Sequence, residues 1–216
     1  MAKSPIESRL LGQFVSLTRI DPEFDVDALF RISHADAKSR ELFRYLQRGP
    51  YETVDEMRSF FVSWAAKSGT VCYVVRCIDN GEVVGTLSLM NTREEHGVIE
   101  IGNVWYAPSS QRTKTNTESV YLLLQYCFEF LGYRRVEWKC DVRNIPSGKA
   151  ALRLGFTFEG IFRKHMLIRN LNRDTAWFAM IDDEWPARKL ALSRWLYTDD
   201  TKPLSEIHSS ELQYRP

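Results

Sequence analysis

The chain has 216 residues, of which 44% are apolar, and its 29 basic and 28 acidic residues leave a formal net charge of +1. That length and apolar share call for one well-packed α/β domain rather than disorder or two domains. The charge balance argues against broad nucleic-acid or membrane-surface binding, which needs a basic excess, and no apolar run approaches the roughly 18 residues of a spanning helix.

The N-terminus, Met1-Ala2-Lys3-Ser4-Pro5, lacks the apolar segment of a signal peptide, so a cytoplasmic location is expected. Phe14–Ile20 reads as a first strand. Asp25–Lys38 reads as a helix, with Val26, Leu29, Phe30 and Ser33 on one face. Thr53-Val54-Asp55-Glu56 is a capping-box pattern opening a second helix, whose apolar stripe is Met57, Phe60, Phe61 and Trp64. Val71–Ile78 and Val83–Met90 are rich in β-branched residues, and Asn80-Gly81 between them signals a hairpin turn.

In Gly97–Ala107 the apolar positions change phase, from Ile99 and Ile101 to Val104 and Tyr106. A strand cannot do that without an extra residue, so a bulge is expected near Gly102-Asn103. After the loop Pro108–Lys114, Thr115-Asn116-Thr117-Glu118 reads as a second capping box. Val120, Leu123, Leu124, Cys127, Phe128 and Leu131 then follow at helical spacing, and Gly132 stands where a C-terminal glycine belongs. Val136, Trp138 and Cys140 alternate with charged residues as a strand. A short helix is expected from Pro146 to Leu154. Phe156–Ile168 and Thr175–Ile181 should pair across Arg169–Arg173. Asp183–Leu196 should close the fold as a helix, followed by a mobile polar tail from Thr198. This order predicts an α/β (α+β) sheet with helices on its faces.

Single residues carry modest expectations. Cys72, Cys77, Cys127 and Cys140 form no C-x-x-C pair and have no histidine at zinc-finger spacing, so reduced thiols and no metal site are expected. His34 and His208 read as surface residues, and Trp105, Trp138 and Trp177 as core. Ser147 has no histidine and aspartate at triad spacing, which argues against a hydrolase nucleophile. The strand–loop–helix unit of residues 98–131 is the chemically informative part. A loop feeding a helix start presents free N–H groups and the positive end of the dipole, a setting that suits a pyrophosphate, and Arg112 and Lys114 add charge to it.

The motifs resemble those of the GNAT superfamily, the Gcn5-related N-acetyltransferases, and more closely the branch that acetylates ribosomal-protein N-termini. Tyr106-Ala107-Pro108, Gln111 and Thr117-Glu118 are similar to the acyl-CoA loop, which in that branch usually reads Q-G-x-G-x-A-T-E-A. Both glycines are absent, with Arg112 and Lys114 in their places, and Asn116 stands where a small residue is usual. Asn144-x-x-Ser147, Leu154-Gly155-Phe156 and Glu159-Gly160 keep the family's order and spacing, and Asp174 and Glu184-Trp185 also match. The likeness runs over roughly residues 10–196, so residues 1–197 read as the acetyltransferase domain and 198–216 as the tail.

The resemblance implies a mostly antiparallel mixed sheet, splayed between the family's strands 4 and 5. It implies acetyl-CoA as co-substrate, an amine acceptor, and no metal, nucleic-acid or membrane partner. A homodimer is compatible with it. Backbone groups at Val104, Trp105 and Tyr106 would pair with the pantetheine arm, as an added strand does. Gln111, Arg112, Thr113, Lys114, Thr115 and Asn116 would hold the pyrophosphate, Asn144 the pantetheine, and Lys149 a phosphate. Many members protonate the leaving thiolate with a tyrosine, but that position is Ala151 here; the resemblance to the N-terminal-acetylating branch, which uses the serine matching Ser147, implies Ser147 as the acid. Glu100 and His165 are the candidate bases. A site without a strong base suits an α-amine of pKa about 8, which costs about 1.4 kcal/mol to deprotonate at pH 7, better than a lysine amine, which costs about 4.6 kcal/mol. The rival reading is an acyl-CoA-binding or sensing module that has lost catalysis, favoured by the glycine-poor loop.

Overall fold

A computed structural model describes residues 2–198, 202–204 and 206–208. Eight strands form one sheet in the order β1-β2-β3-β4-β5-β6-β8-β7. The strands are β1 (Arg9–Leu11), β2 (Val15–Arg19), β3 (Val71–Cys77), β4 (Val83–Arg93), β5 (Val98–Tyr106), β6 (Arg135–Asp141), β7 (Thr157–Ile168) and β8 (Leu171–Ile181). Every neighbouring pair is antiparallel except β5 and β6, which run parallel. The expected strands are all present. Three-residue β1 adds an edge and shifts the count, so the expected splay falls between β5 and β6.

The sheet is accompanied by α1 (Pro22–Ser33), α2 (Ala37–Arg40), α3 (Val54–Ala65), α4 (Lys114–Gln125), α5 (Ile145–Arg153) and α6 (Trp185–Tyr197), and the described residues 204 and 206–208 are also helical. One face of the sheet packs on α4, α5 and α6. There Leu123, Leu124, Ala151, Ala191 and Leu192 meet Tyr73, Leu87, Ile99 and Val136 in the larger core. On the other face Val26 and Leu29 of α1 and Met57 and Phe61 of α3 pack on Cys72, Val74 and Trp105. Successive residues of β3 therefore enter different cores, which is why Val71–Val75 is apolar throughout rather than alternating.

The second core contains no residue of β6, β7 or β8. On that uncovered face β6 turns out Glu137, Lys139 and Asp141 while Val136, Trp138 and Cys140 enter the larger core. The strand's charged alternation thus marks an open cleft beside α1 and α3.

Several expectations are corrected. The first helix begins at Pro22, because Asp21 caps it by accepting the Glu23 N–H at 3.0 Å, and it stops at Ser33. His34 is not a surface residue. Its ring stacks on Phe30 with centroids 4.2 Å apart and accepts the Tyr51 N–H at 3.0 Å, which ends the helix. The helix expected to open with a Thr115–Glu118 capping box begins at Lys114 with Thr113 as its cap residue, and no side chain caps its first turn. The tail expected to be mobile from Thr198 buries Leu204, Ile207 and His208 against the larger core, so His208 is no surface residue either. Of that tail, residues 199–201, 205 and 209–216 lie outside the described residues.

Candidate active site

The parallel pairing of β5 and β6 lasts for three residues, Val98, Ile99 and Glu100 opposite Arg135, Val136 and Glu137. Beyond them the strands part, so the β6-facing backbone from Ile101 to Tyr106 has no strand partner. The expected bulge is present. Thr86 lies opposite Trp105 but Ser88 opposite Gly102, and Asn103 takes φ +51°. An extra residue there bends β5 away from β6, which converts a local phase change in the sequence into an opening in the sheet.

Val104 and Trp105 lie on the parted segment, and Trp105 is buried in the second core. The Tyr106 carbonyl accepts from the Gln111 amide at 3.2 Å, so Gln111 braces the loop against β5. The Tyr106 hydroxyl lies 2.5 Å from Ser119 Oγ and is buried. Arg112 adopts φ +61°, the left-handed region that favours glycine. The loop therefore keeps the shape for which the family uses glycine, with a bulky residue in it. Thr113 donates to the Ser110 carbonyl at 2.8 Å, and Thr115 and Asn116 sit half-buried in the first turn of α4.

Lys114 is directed elsewhere. Its ammonium donates to the Leu196 carbonyl at 2.7 Å and stands 5.1 Å from the centre of the Phe14 ring, tying the loop to the end of α6. Glu118, in place of capping its helix, accepts the N–H groups of Gln13, Phe14 and Val15 at 2.7–2.8 Å and the Tyr197 hydroxyl at 2.8 Å. Sequence reasoning assigned that glutamate to the wrong partner, because the motif T-x-x-E reads alike in both roles. It also passed over Arg153 of α5, which reaches back to donate to Thr117 Oγ1 at 2.7 Å and stacks 5.4 Å from the Trp195 ring centre.

Across the opening, α5 starts at Ile145 with Asn144 as its cap, whose Oδ1 accepts the Ser147 N–H at 3.2 Å. Ser147 Oγ accepts the Trp138 indole N–H at 3.0 Å. An indole nitrogen only donates, so the serine's own proton is not used there and faces the neighbouring Cys140. Burial pushes the neighbouring Cys140 thiol up, and the Ser147 hydroxyl partly offsets this. Lys149 is exposed on α5.

The open face below the parting carries the charged cluster. Glu100, 6% exposed, accepts from Lys139 at 2.7 Å and from Asn91 at 2.7 Å. Burial pushes the Glu137 carboxyl up, but hydrogen bonds from Lys139 and Arg135 outweigh it and hold the carboxyl below its usual range. The Lys139 ammonium lies 4.0 Å from the Trp177 ring centre, and Phe162 packs 4.6 Å from the same indole. Trp177 is thus half-buried in the cleft rather than core, unlike Trp105 and Trp138. His165 Nδ1 lies 3.0 Å from Thr175 Oγ1 on this face. Glu100 and His165 are both in the cleft, while Ser147 and Asn144 stand at the start of α5. At the far end, Arg169 donates to the carbonyls of Phe43 and Leu46 at 3.1 Å and to that of Gly49, bracing the β7–β8 hairpin against the segment before α3.

Comparison with known proteins agrees with this geometry. Residues 15–157 match the family model described as an acetyltransferase (GNAT) domain. A GCN5-related N-acetyltransferase from Brucella melitensis is 36% identical and superposes with a TM-score of 0.91, over 96% of this chain and 97% of that one. A probable acetyltransferase of the GNAT family from Chromobacterium violaceum is 40% identical, with a TM-score of 0.81 over 86% of this chain and 91% of that one. Among curated relatives, the putative ribosomal N-acetyltransferase YdaF of Bacillus subtilis is 28% identical over 110 residues, 51% of this chain and 60% of that protein. The chain belongs to the GNAT family of acetyltransferases.

Proposed function

We propose that the chain transfers the acetyl group of acetyl-CoA to a primary amine by direct attack, and that an α-amine is the acceptor it serves best. The observation that carries this reading is the parting of β5 and β6 after Glu100 and Glu137, flanked by the uncapped first turn of α4. The free backbone edge at Val104–Tyr106 suits an amide-bearing arm, and the N–H groups at the start of α4 suit a pyrophosphate. Gln111, Arg112, Thr113, Thr115 and Asn116 shape that loop, with Asn144 and Lys149 opposite. Lys114 serves it through α6 rather than by direct contact.

Acetyl-CoA supplies an activated acyl carbon. As the new C–N bond forms and the C–S bond breaks, the amine loses a proton and the departing sulfur gains one. Ser147 is suited to give that proton, because Trp138 donates to its oxygen and its own hydrogen faces only the weak acceptor Cys140. Glu100 is tied to Lys139 and Asn91, and His165 Nδ1 to Thr175, so neither base candidate is free of a partner. That favours acceptors already partly deprotonated near neutral pH.

An acceptor screen tests the reading. Purified protein and acetyl-CoA should release thiol with peptide N-termini faster than with polyamines or aminoglycosides. Binding of acetyl-CoA without thiol release from any amine would favour the sensing module instead.

A further inference from the structure

Arg173, on β8 opposite Met166 of β7, is only 9% exposed. Its Nε donates to Thr175 Oγ1 at 3.1 Å, and among the described residues no acceptor takes its two terminal nitrogens. The carboxylate in electrostatic reach, Asp141, is already held by Arg143 through bonds of 2.9 and 2.6 Å. A guanidinium buried without its own counter-ion is destabilising until an anion meets it.

The neighbouring bonds carry the same sign. Arg173 Nε can only donate, so Thr175 Oγ1 accepts there, which leaves its single proton available to His165 Nδ1. With Thr175 donating to Nδ1, the imidazole carries its own proton on Nε2. In that tautomer Arg173 and His165 both present donors on the open face, with His165 beside the Trp177 and Phe162 rings. Lys139, the cation above Trp177, is already satisfied by Glu100 and Glu137. What the terminal nitrogens of Arg173 lack is an acceptor of hydrogen bonds.

We propose that Arg173 and His165 form a carboxylate-recognising subsite in the acceptor cleft, so that the preferred amine carries its own carboxylate, as a free amino acid or an acidic peptide N-terminus does. This rests on the transfer reading above, and it reassigns His165 from base to donor. The planar guanidinium fork matches a carboxylate in two bonds, which gives orientation as well as affinity.

Two matched probe pairs test it: the peptide amides Asp-Ala-Ala and Asn-Ala-Ala, and glycine against glycinamide. Binding is measured by calorimetry with CoA present, and turnover with acetyl-CoA. Wild type should favour the carboxylate member of at least one pair by about tenfold or more in Kd and in KM, and which pair shows it identifies the source of the carboxylate. Arg173→Met should erase the preference, Arg173→Lys should keep part of it, and acetyl-CoA affinity should hold in both. If Arg173→Met does not fold, Thr175→Val, which frees Arg173 from its brace and breaks the link to His165, should weaken the preference. No preference in wild type, or a preference that survives Arg173→Met, overturns the proposal. So does a loss of CoA affinity in that variant, which would give Arg173 to a phosphate. Because binding is read without chemistry, absence of thiol release with every amine would contradict acetyl transfer and still leave the carboxylate preference measurable.

Discussion

Glu118 sits in the second turn of α4, yet none of its four hydrogen bonds goes to that helix. Its fully buried carboxylate is the point where the segment before β2 and the last turn of α6 meet the helix that opens the candidate CoA loop. Gly12 is required beside it, because a Cβ there would come within 2.4 Å of the carboxylate. Glu118→Gln turns one acceptor into a donor facing N–H groups and should cost about 3 kcal/mol, lowering Tm by roughly 6–12 °C, as calorimetry would read. A loss below 1 kcal/mol would show that the nest re-forms around the amide. Arg112 makes a second prediction, since its φ of +61° suits glycine and penalises branched side chains. Arg112→Gly should leave stability unchanged or raise it slightly, while Arg112→Val should lower it by about 1–2 kcal/mol. Weaker CoA binding in Arg112→Gly, at unchanged Tm, would identify the guanidinium as a phosphate contact. Ser147 and Trp138 supply the third. Ser147→Ala should lower kcat by at least about tenfold, as removal of a proton donor does, and Trp138→Phe should lower it less, with acetyl-CoA affinity held in both. A Ser147→Ala enzyme with full kcat would make that serine a structural cap.

At the scale of elements, the sequence was readable where periodicity or turn chemistry left one option. The bulge at Asn103 was legible because the apolar phase of β5 changes from odd to even positions, and register permits no other account. The β7–β8 turn was placed too wide because its two central residues, Arg169 and Asn170, adopt left-handed conformations at φ +52° and +60° without a glycine to announce them. Strand β1 is three residues long and has no pattern to read. The C-terminal segment is the larger surprise, since its composition is polar while Leu204 and Ile207 are 2% and 1% exposed. Beside them His208 lies against Gly155, and burial, with Arg188 and Arg153 nearby, pulls its imidazole down to about 4. The unfolded segment would titrate near 6.5, so between those values the undocked form binds more protons. Docking is therefore fully stable above about pH 6.5 and weakens as pH falls toward 4. Limited proteolysis should cut this segment faster at pH 5 than at pH 7.5 in wild type, and His208→Leu should remove the difference. Equal cutting of wild type at both values would mean that the imidazole is not what holds the segment.

For the whole molecule, helices cover one face of the sheet from β2 across to β8, leaving the edge strand β7 largely exposed, and only half of the other, and the uncovered half is where the charges of β6 and β8 emerge. The opening between β5 and β6 joins that cleft to the loop before α4, so co-substrate and acceptor would approach the parting from separate sides. That division explains why the proposed CoA half was legible as a motif string in one stretch of chain, from Tyr106 to Ser147. The proposed acceptor half is assembled from β5, β6, β7 and β8 with no local signature, and Arg173 is recognisable only once its burial is known. The most direct test of the account is hydrogen exchange with and without acetyl-CoA, followed amide by amide. The account predicts slower exchange at Val104–Tyr106 and in the first turn of α4, Lys114–Thr117, with little change in α1 and α3. Unchanged exchange at those amides under saturating acetyl-CoA, or protection confined to another part of the molecule, would contradict it.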